Sequence, residues 1–426
     1  MMSLTSQSIR NALEIKDPNI TFLEDSHIQL IKGKESLVYP ASLTYKPDHC
    51  ANCGFADKIV KYGTQKVRII APSAGFRPAY ILLKRQRYRC EACLTTFSAH
   101  SPYVWQNCQI SQPVRQMILS EAMTNISLKD IARRYFVSDK TVQRIVDAEA
   151  KQHHNYQTQW LPPHMAFDEF KSTDKMSFIW CDSTSHTLGE ILALRTSRTL
   201  KEYFESFPIE VRQAVNTISV DLNAGYVNLI PKLFPNAEIV IDRFHIIQMV
   251  NRAVNQIRVQ TMKTLDHRSK KYKFMKQEWK QFLRPMEKLE KVNPRYHSSV
   301  GYYQTDYNLV MECLDLDDHF RIAYDTYQGL LKSLQNHDTS GFEKELRAYH
   351  QLDNAMDTPI ASLKKHRKAV LNAVESPYSN GFLEGMISRI KKIKNTAYGY
   401  RNWRHFIDRI KLELAWYQTK DIATAA

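Results

Sequence analysis

Four of the seven cysteines fall in two Cys-x-x-Cys pairs, Cys50-Ala51-Asn52-Cys53 and Cys90-Glu91-Ala92-Cys93. No other feature restricts the fold as much, because two tight turns far apart in the chain must meet at one point. Four thiolates suit tetrahedral zinc with no open position, so the centre is structural rather than catalytic. The competing reading, redox-active or unliganded thiols, does not account for two matched knuckles. Between the pairs run Lys66-Val67-Arg68-Ile69-Ile70 and Tyr80-Ile81-Leu82-Leu83-Lys84-Arg85-Gln86-Arg87-Tyr88-Arg89, both strand-like. The pattern predicts a zinc ribbon over residues 43–100, two knuckles joined by a small antiparallel sheet. Cys50, Cys53, Cys90 and Cys93 would hold Zn2+. Cys108, Cys181 and Cys313 have no partner at ligand spacing and are expected as ordinary thiols. Residues 1–42 are an N-terminal arm with no clear signal.

The charge balance narrows the partner. Basic residues outnumber acidic ones 59 to 44, a net +15. The natural partner for such a chain inside a cell is a long polyanion, nucleic acid. An aromatic content of 11% excludes a wholly disordered chain, and only 12 glycines exclude a collagen-like one. No run reaches the roughly 18 apolar residues of a spanning helix, and no apolar export segment follows Met1. A cytoplasmic protein without membrane partners is expected. No Gly-x-x-x-x-Gly-Lys or Gly-x-Gly-x-x-Gly run is present, which disfavours a nucleotide-dependent enzyme.

After the ribbon, residues 108–150 read as a helix-turn-helix. Pro113 to Ala122 is apolar at helical spacing, and Ser127-Leu128-Lys129-Asp130 is a capping-box-like start. Ser138 caps a second helix whose Val142 and Ile145 face inward. Lys140, Thr141, Gln143 and Arg144 are left for base edges or phosphates in a major groove. The alternative is a helical hairpin that merely packs.

Beyond Trp160-Leu161-Pro162-Pro163 the pattern becomes strand-rich. Strands are expected at Met165–Phe170, Met176–Asp182, Ile191–Arg195, Thr217–Asp221 and Ala237–Asp242, with helices across Leu200–Val215, Tyr226–Leu233 and from Arg243 onward. The order β-β-β-α-β-α-β-α is that of the ribonuclease H-like fold, in which the first and fourth strands are neighbours. Asp168 and Asp221 then come together. Adjacent carboxylates repel unless cations join them, and hard Mg2+ (or Mn2+) with oxygen ligands is the natural solution. A pair of such ions about 3.5–4 Å apart can activate a nucleophile and stabilise a leaving oxygen at a phosphodiester. A third carboxylate, Glu384, opens a helix that is strongly basic afterwards, with Arg389, Lys391, Lys392 and Lys394.

Asp168-Glu169-Phe170, Ser219-Val220-Asp221, Asp242-Arg243-Phe244-His245, Glu384-Gly385, Ile390-Lys391-Lys392-Ile393-Lys394 and Ala397-Tyr398-Gly399-Tyr400-Arg401-Asn402 occur in that order. From Cys50 to about Trp416 the chain resembles the ISL-three family of bacterial insertion-sequence transposases. The resemblance implies a zinc-binding ribbon, a helix-turn-helix and a DDE nuclease domain, with Asp168, Asp221 and Glu384 catalytic and holding Mg2+. Either Asp221 or Asp242 is the second aspartate. Asp221 is preferred because it ends the fourth strand, and Asp242 with His245 then resembles an accessory Asp-x-x-His signature. Lys391, Lys392, Lys394 and Arg401 would neutralise phosphate charge beside Arg389. The chain departs from many relatives at Ile387 and Asn395, which bears on local DNA contacts.

The expected fold is therefore α/β and multidomain. A ribonuclease H-like core (160–250 and 376–418, the latter carrying Glu384) is interrupted by an all-helical insertion (251–375), and a zinc ribbon and helix-turn-helix precede it. The insertion begins basic, with Tyr272, Phe274, Trp279 and Phe282 interleaved as packing or stacking faces. The expected activity is binding of terminal inverted repeats followed by strand cleavage and transfer. The expected partner is double-stranded DNA, transposon ends and target, with the chain acting as a homo-oligomer near the bacterial nucleoid. The rival expectation is a catalytically silent DNA-binding regulator.

Overall fold

Five short strands, rich in β-branched and aromatic residues, assemble into one mixed sheet: His164–Lys171, Met176–Asp182, Leu188–Leu192, Thr217–Val220 and Glu238–Ile241. The first three form an antiparallel meander. The fourth strand pairs parallel with both the first and the fifth, giving the spatial order fifth, fourth, first, second, third. This computed structural model describes residues 4–23, 25–56, 58–153, 159–222 and 224–424. It divides into one unit of residues 156–389, which holds this sheet, and another of residues 1–155 with 390–426.

Parallel neighbours require crossover connections, and helices supply them. Ser197–Phe204 and Ile209–Gln213 precede the fourth strand, Ala224–Leu233 precedes the fifth, and Arg243–Lys263 follows it. The stretch expected as a single helix, Leu200–Val215, is two, because Pro208 lacks an N–H and stands between them. Phe167, Phe178, Phe204 and Phe234 are fully or almost fully buried and pack ring to ring, with Phe167 5.0 Å from Phe178 and Phe204 5.0 Å from Phe234. Successive strand residues face opposite sides of the sheet. Burying Phe167 therefore turns Asp168 the other way.

The insertion is mainly helical: Lys270–Gln277, Asp306–Leu314, Asp318–Gln335, Thr339–Ala348, Asp357–Lys365 and Arg367–Glu375. It is not wholly so. A small hairpin pairs Arg295–His297 with Tyr302–Gln304. Gly301, at φ +79, allows its turn, and the buried His297 hydrogen-bonds Glu278 at 2.9 Å. Tyr272, Phe274 and Phe282 are core residues rather than stacking faces, while Trp279 stays partly exposed beneath Lys280.

In the other unit, the long hairpin Ile59–Ala74 with Arg77–Cys90 carries the cysteine pairs and sits in a six-stranded sheet. Lys34–Leu43 pairs parallel with Arg77–Cys90 from Leu37 opposite Ala79 to Leu43 opposite Arg85. Residues 20–43, which carry no clear signal in the sequence, are thus strands packed in this sheet. Three helices follow, Gln112–Ala122, Leu128–Arg134 and Asp139–Ala150. Ser127 and Ser138 cap the second and third by accepting from the N–H groups of Asp130 (3.2 Å) and Thr141 (3.1 Å). Val114, Ile118, Ile131, Val142 and Val146 close the core between them, joined by Leu412 of the C-terminal helix Trp403–Thr424. The stretch 376–418, read from sequence as one piece of the nuclease core, is therefore divided: the boundary falls inside helix Gly381–Thr396. The physical reason is Arg409, 2% exposed, which donates to Thr124 O (2.6 Å) and Ile126 O (3.0 Å).

Candidate active site

Three aspartates line up at one edge of the five-stranded sheet. Pairing between the fourth and first strands ends at Ser219 opposite Ala166, and Asp221 and Asp168 each lie two residues further on. Pairing between the fourth and fifth ends at Val220 opposite Ile241, and Asp221 and Asp242 are the next residues. Asp221 and Asp242 follow the carboxyl ends of their strands, the usual ligand edge of open α/β sheets, and Asp168, still paired with Ile179 of the second strand, lies just beyond the end of its own parallel pairing. Asp168 and Asp221 line a cavity of about 290 Å³ with His245 and Arg252.

Asn380, 1% exposed, ties the remaining element in. Its N–H reaches Asp242 Oδ1 (3.4 Å), its Nδ2 donates to Phe167 O (3.2 Å), and its carbonyl accepts the N–H of Glu384 (2.9 Å). One buried residue thus connects the strand of Asp168 through its side chain, and the end of the fifth strand and the first turn of Glu384's helix through its backbone. Nothing periodic marked it in the sequence, where an Asn before Gly381 reads as a turn. Arg252, on the pocket wall, carries no motif that sets it apart from the other basic residues of its helix.

The electrostatics are those of crowded acids. Burial, with the charges of Asp221 and Glu384, raises Asp168 from 3.8 to about 7, although the Glu169 N–H (2.7 Å) and His245 oppose the shift. His245 Nδ1 lies 2.8 Å from Asp221 Oδ1 and 3.1 Å from Asp242 Oδ2, and these acids lift its pKa to about 10. The imidazolium is the internal counter-ion of the pair. Its Nδ1–H is shared between Asp221 Oδ1 and Asp242 Oδ2. Asp221, Asp242 and His245 present ligand atoms within 4.8 Å of one another. Carboxylate oxygens crowded around one imidazole fit a hard divalent cation.

A measurable consequence follows. A cation held by Asp168 would need its carboxylate, which burial lifts to a pKa of about 7. Mn2+ affinity is expected to rise by up to about tenfold per unit as pH approaches 7. In the absence of metal the native state holds this proton longer than the unfolded chain, so the group's cost to stability grows as pH rises from about 4 to 7. Isothermal titration with Mn2+ at pH 5.5, 6.5 and 7.5 checks this, and a pH-independent affinity contradicts it.

The cysteine centre is equally defined. Cys50 and Cys93 Sγ are 3.8 Å apart, and Cys53 and Cys90 Sγ 3.6 Å. Disulfide sulfurs sit at about 2.05 Å, whereas four thiolates about 2.3 Å from one zinc give a tetrahedral edge near 3.8 Å. All four sulfurs lie within 4.8 Å of one another, and the Asn52 N–H points at Cys50 Sγ (3.4 Å).

Of the residues expected to meet DNA, Lys140 and Gln143 line one cavity with Tyr398, while Thr141 and Arg144 line another with Arg115. Lys391, Lys392 and Arg401 are exposed. Charge is divided very unevenly. Residues 1–155 with 390–426 hold 29 basic and 16 acidic residues, a net +13, and residues 156–389 hold 30 and 28, a net +2. No helix among the described residues is long and apolar enough to cross a membrane.

Comparisons with known proteins agree with this geometry. Residues 165–410 match the ISL3 family of DDE transposases, described as "Transposase", and residues 46–93 match a family described as the "zinc-finger of transposase IS204/IS1001/IS1096/IS1165". The class is thus a transposase with a zinc-binding N-terminal module. The chain belongs to the ISL-three (ISL3) family. It is 22% identical over 366 residues to the "Transposase for insertion sequence element IS1001" of Bordetella parapertussis, covering 85% of this chain and 87% of that protein. It is also 31% identical over 108 residues to a Lactococcus lactis protein named "ATP-dependent protease", a match spanning 25% of this chain and 35% of that protein.

Proposed function

We propose that this chain cuts and rejoins DNA at the ends of an insertion sequence, with Asp168, Asp221 and Glu384 as the catalytic acids on a ribonuclease H-like core. The observation that carries the reading is the convergence of Asp168 and Asp221 at one sheet edge, with Glu384 near enough to raise the pKa of Asp168. These acids would hold Mg2+ or Mn2+, which when bound supplies nucleophile activation and charge neutralisation. Asp242 and His245 are accessory: the imidazolium keeps two aspartates close together until a cation enters. Asn380 positions the helix of Glu384.

The reaction consists of two in-line displacements. Water attacks the phosphodiester at the element's end and frees a 3′-hydroxyl. That hydroxyl attacks a target phosphodiester, forming one P–O bond and releasing a target 3′-oxygen. Arg389, Lys391, Lys392, Lys394 and Arg401 neutralise phosphate charge. The helices Leu128–Arg134 and Asp139–Ala150 act as a helix-turn-helix, with Lys140, Thr141, Gln143 and Arg144 toward the terminal inverted repeat. Zn2+ at Cys50, Cys53, Cys90 and Cys93 holds the ribbon. The chain works as a homo-oligomer on double-stranded DNA at the nucleoid, since two ends must be handled together.

The test is incubation of the full chain with a duplex carrying the element's end and Mg2+. A nick at the terminal nucleotide supports the reading, and intact strands alongside tight binding overturn it in favour of a DNA-binding regulator.

A further inference from the structure

The Tyr-Gly-Tyr-Arg-Asn block carries much of the family resemblance, yet the function engages only Arg401 among its residues. Helix Gly381–Thr396 ends with the Tyr398 N–H on Asn395 O (3.0 Å) and the Gly399 N–H on Lys394 O (2.9 Å). Both residues take left-handed backbone conformations, Tyr398 at φ +55 and Gly399 at φ +96. Glycine adopts that region freely, whereas a bulky L-residue does so only where its surroundings over-determine it.

The surroundings do so on both sides. Thr396 Oγ1 donates to Asn125 Oδ1 (2.7 Å), the Tyr400 ring stacks on Phe406 at 4.8 Å, and Asn402 Oδ1 accepts the N–H of Arg404 (2.9 Å). Thr396, Tyr400 and Asn402 are tied down while the Tyr398 ring points to solvent, 97% exposed. It borders a cavity of about 570 Å³ whose other wall holds Lys129, Arg133, Lys140 and Gln143. The cavity's acids are already engaged: Asp130 pairs with Arg133 (3.2 Å), and Asp139 accepts the N–H of Lys140 (2.8 Å).

We propose that Tyr398 is a base-stacking residue, packing its ring on an exposed base of DNA held by helix Asp139–Ala150. The inference rests on the reading of that helix as DNA-binding and names a contact that reading lacks. A flat π-face beside lysines, on a unit of net +13, suits nucleic acid rather than a protein surface.

The experiment uses the full chain and a duplex selected by it from a randomised pool, labelled in turn at each purine with 2-aminopurine. Wild-type protein should quench the fluorophore at one position. Tyr398→Ala should weaken binding about ten- to a hundredfold and abolish that quench, while Tyr398→Phe retains both. Because a ring stack releases no counterions, the salt slope of Tyr398→Ala should match wild type, whereas Lys140→Ala should lower the slope by about one. Unchanged affinity and quench in Tyr398→Ala overturn the stacking proposal alone. Failure of the wild type to select any duplex overturns the DNA-binding reading with it. A change in self-association in place of DNA binding assigns the surface to a second copy and also overturns the proposal.

Discussion

Glu384→Gln is expected to lose metal-dependent strand cleavage by roughly a thousandfold or more, with DNA binding and folding intact. The substitution is nearly isosteric and lies in the first turn of a helix whose start is held by the backbone carbonyl of Asn380. The fold therefore tolerates it. What disappears is one negative charge beside Asp168, a loss that should also lower the Asp168 pKa, since Glu384 is among the groups raising it. Gel analysis of end-labelled duplex, with circular dichroism as the folding control, reads both effects. Cleavage at the wild-type rate would remove Glu384 from the site.

Cys90→Ser is expected to abolish zinc binding and unfold the knuckles without dissolving the sheet behind them. Structural zinc contributes about 10–16 kcal/mol of apparent binding energy in small fingers, comparable with the whole stability of a domain. Here, however, the hairpin also packs an apolar core of its own, including Ile69, Ile81, Leu83 and Tyr88, with Ile20 and Leu43 contributed by the strands before it. The loss should stay local. Zinc content should fall from one ion per chain to none, with hydrogen exchange accelerating around residues 50–56 and 90–95. The transition of the 156–389 unit should not move. Full zinc retention would contradict a four-thiolate centre.

The parts legible in the sequence were those set by local rules. The cysteine pairs, the Ser127 and Ser138 caps and the carboxylates at strand ends each depend on residues near in the chain. In residues 20–43 the run His27-Ile28-Gln29-Leu30 does alternate polar and apolar, but it is short and lies exposed on both faces, and its partner Lys34–Leu43 is fixed by pairing with the remote Arg77–Cys90. Pro40, inside a paired strand, further disguised its neighbours. The allegiance of residues 390–418 was hidden for a different reason. An amphipathic helix shows which of its faces is apolar but not which surface covers it, and the cover came from Thr124, Ile126 and the core around Ile131. Asn380 is the same lesson at the candidate site: its value lies in contacts with Phe167 and Asp242, both remote in sequence.

The central claim is that Asp168, Asp221 and Glu384 share divalent cations. Anomalous diffraction from crystals soaked in Mn2+ tests it most directly. Manganese peaks are expected at about 2.1 Å from oxygens of Asp168 and Asp221, with at least one ion also within reach of Glu384. Manganese bound elsewhere, with Glu384 turned away from both aspartates in crystals that also contain DNA, would contradict it.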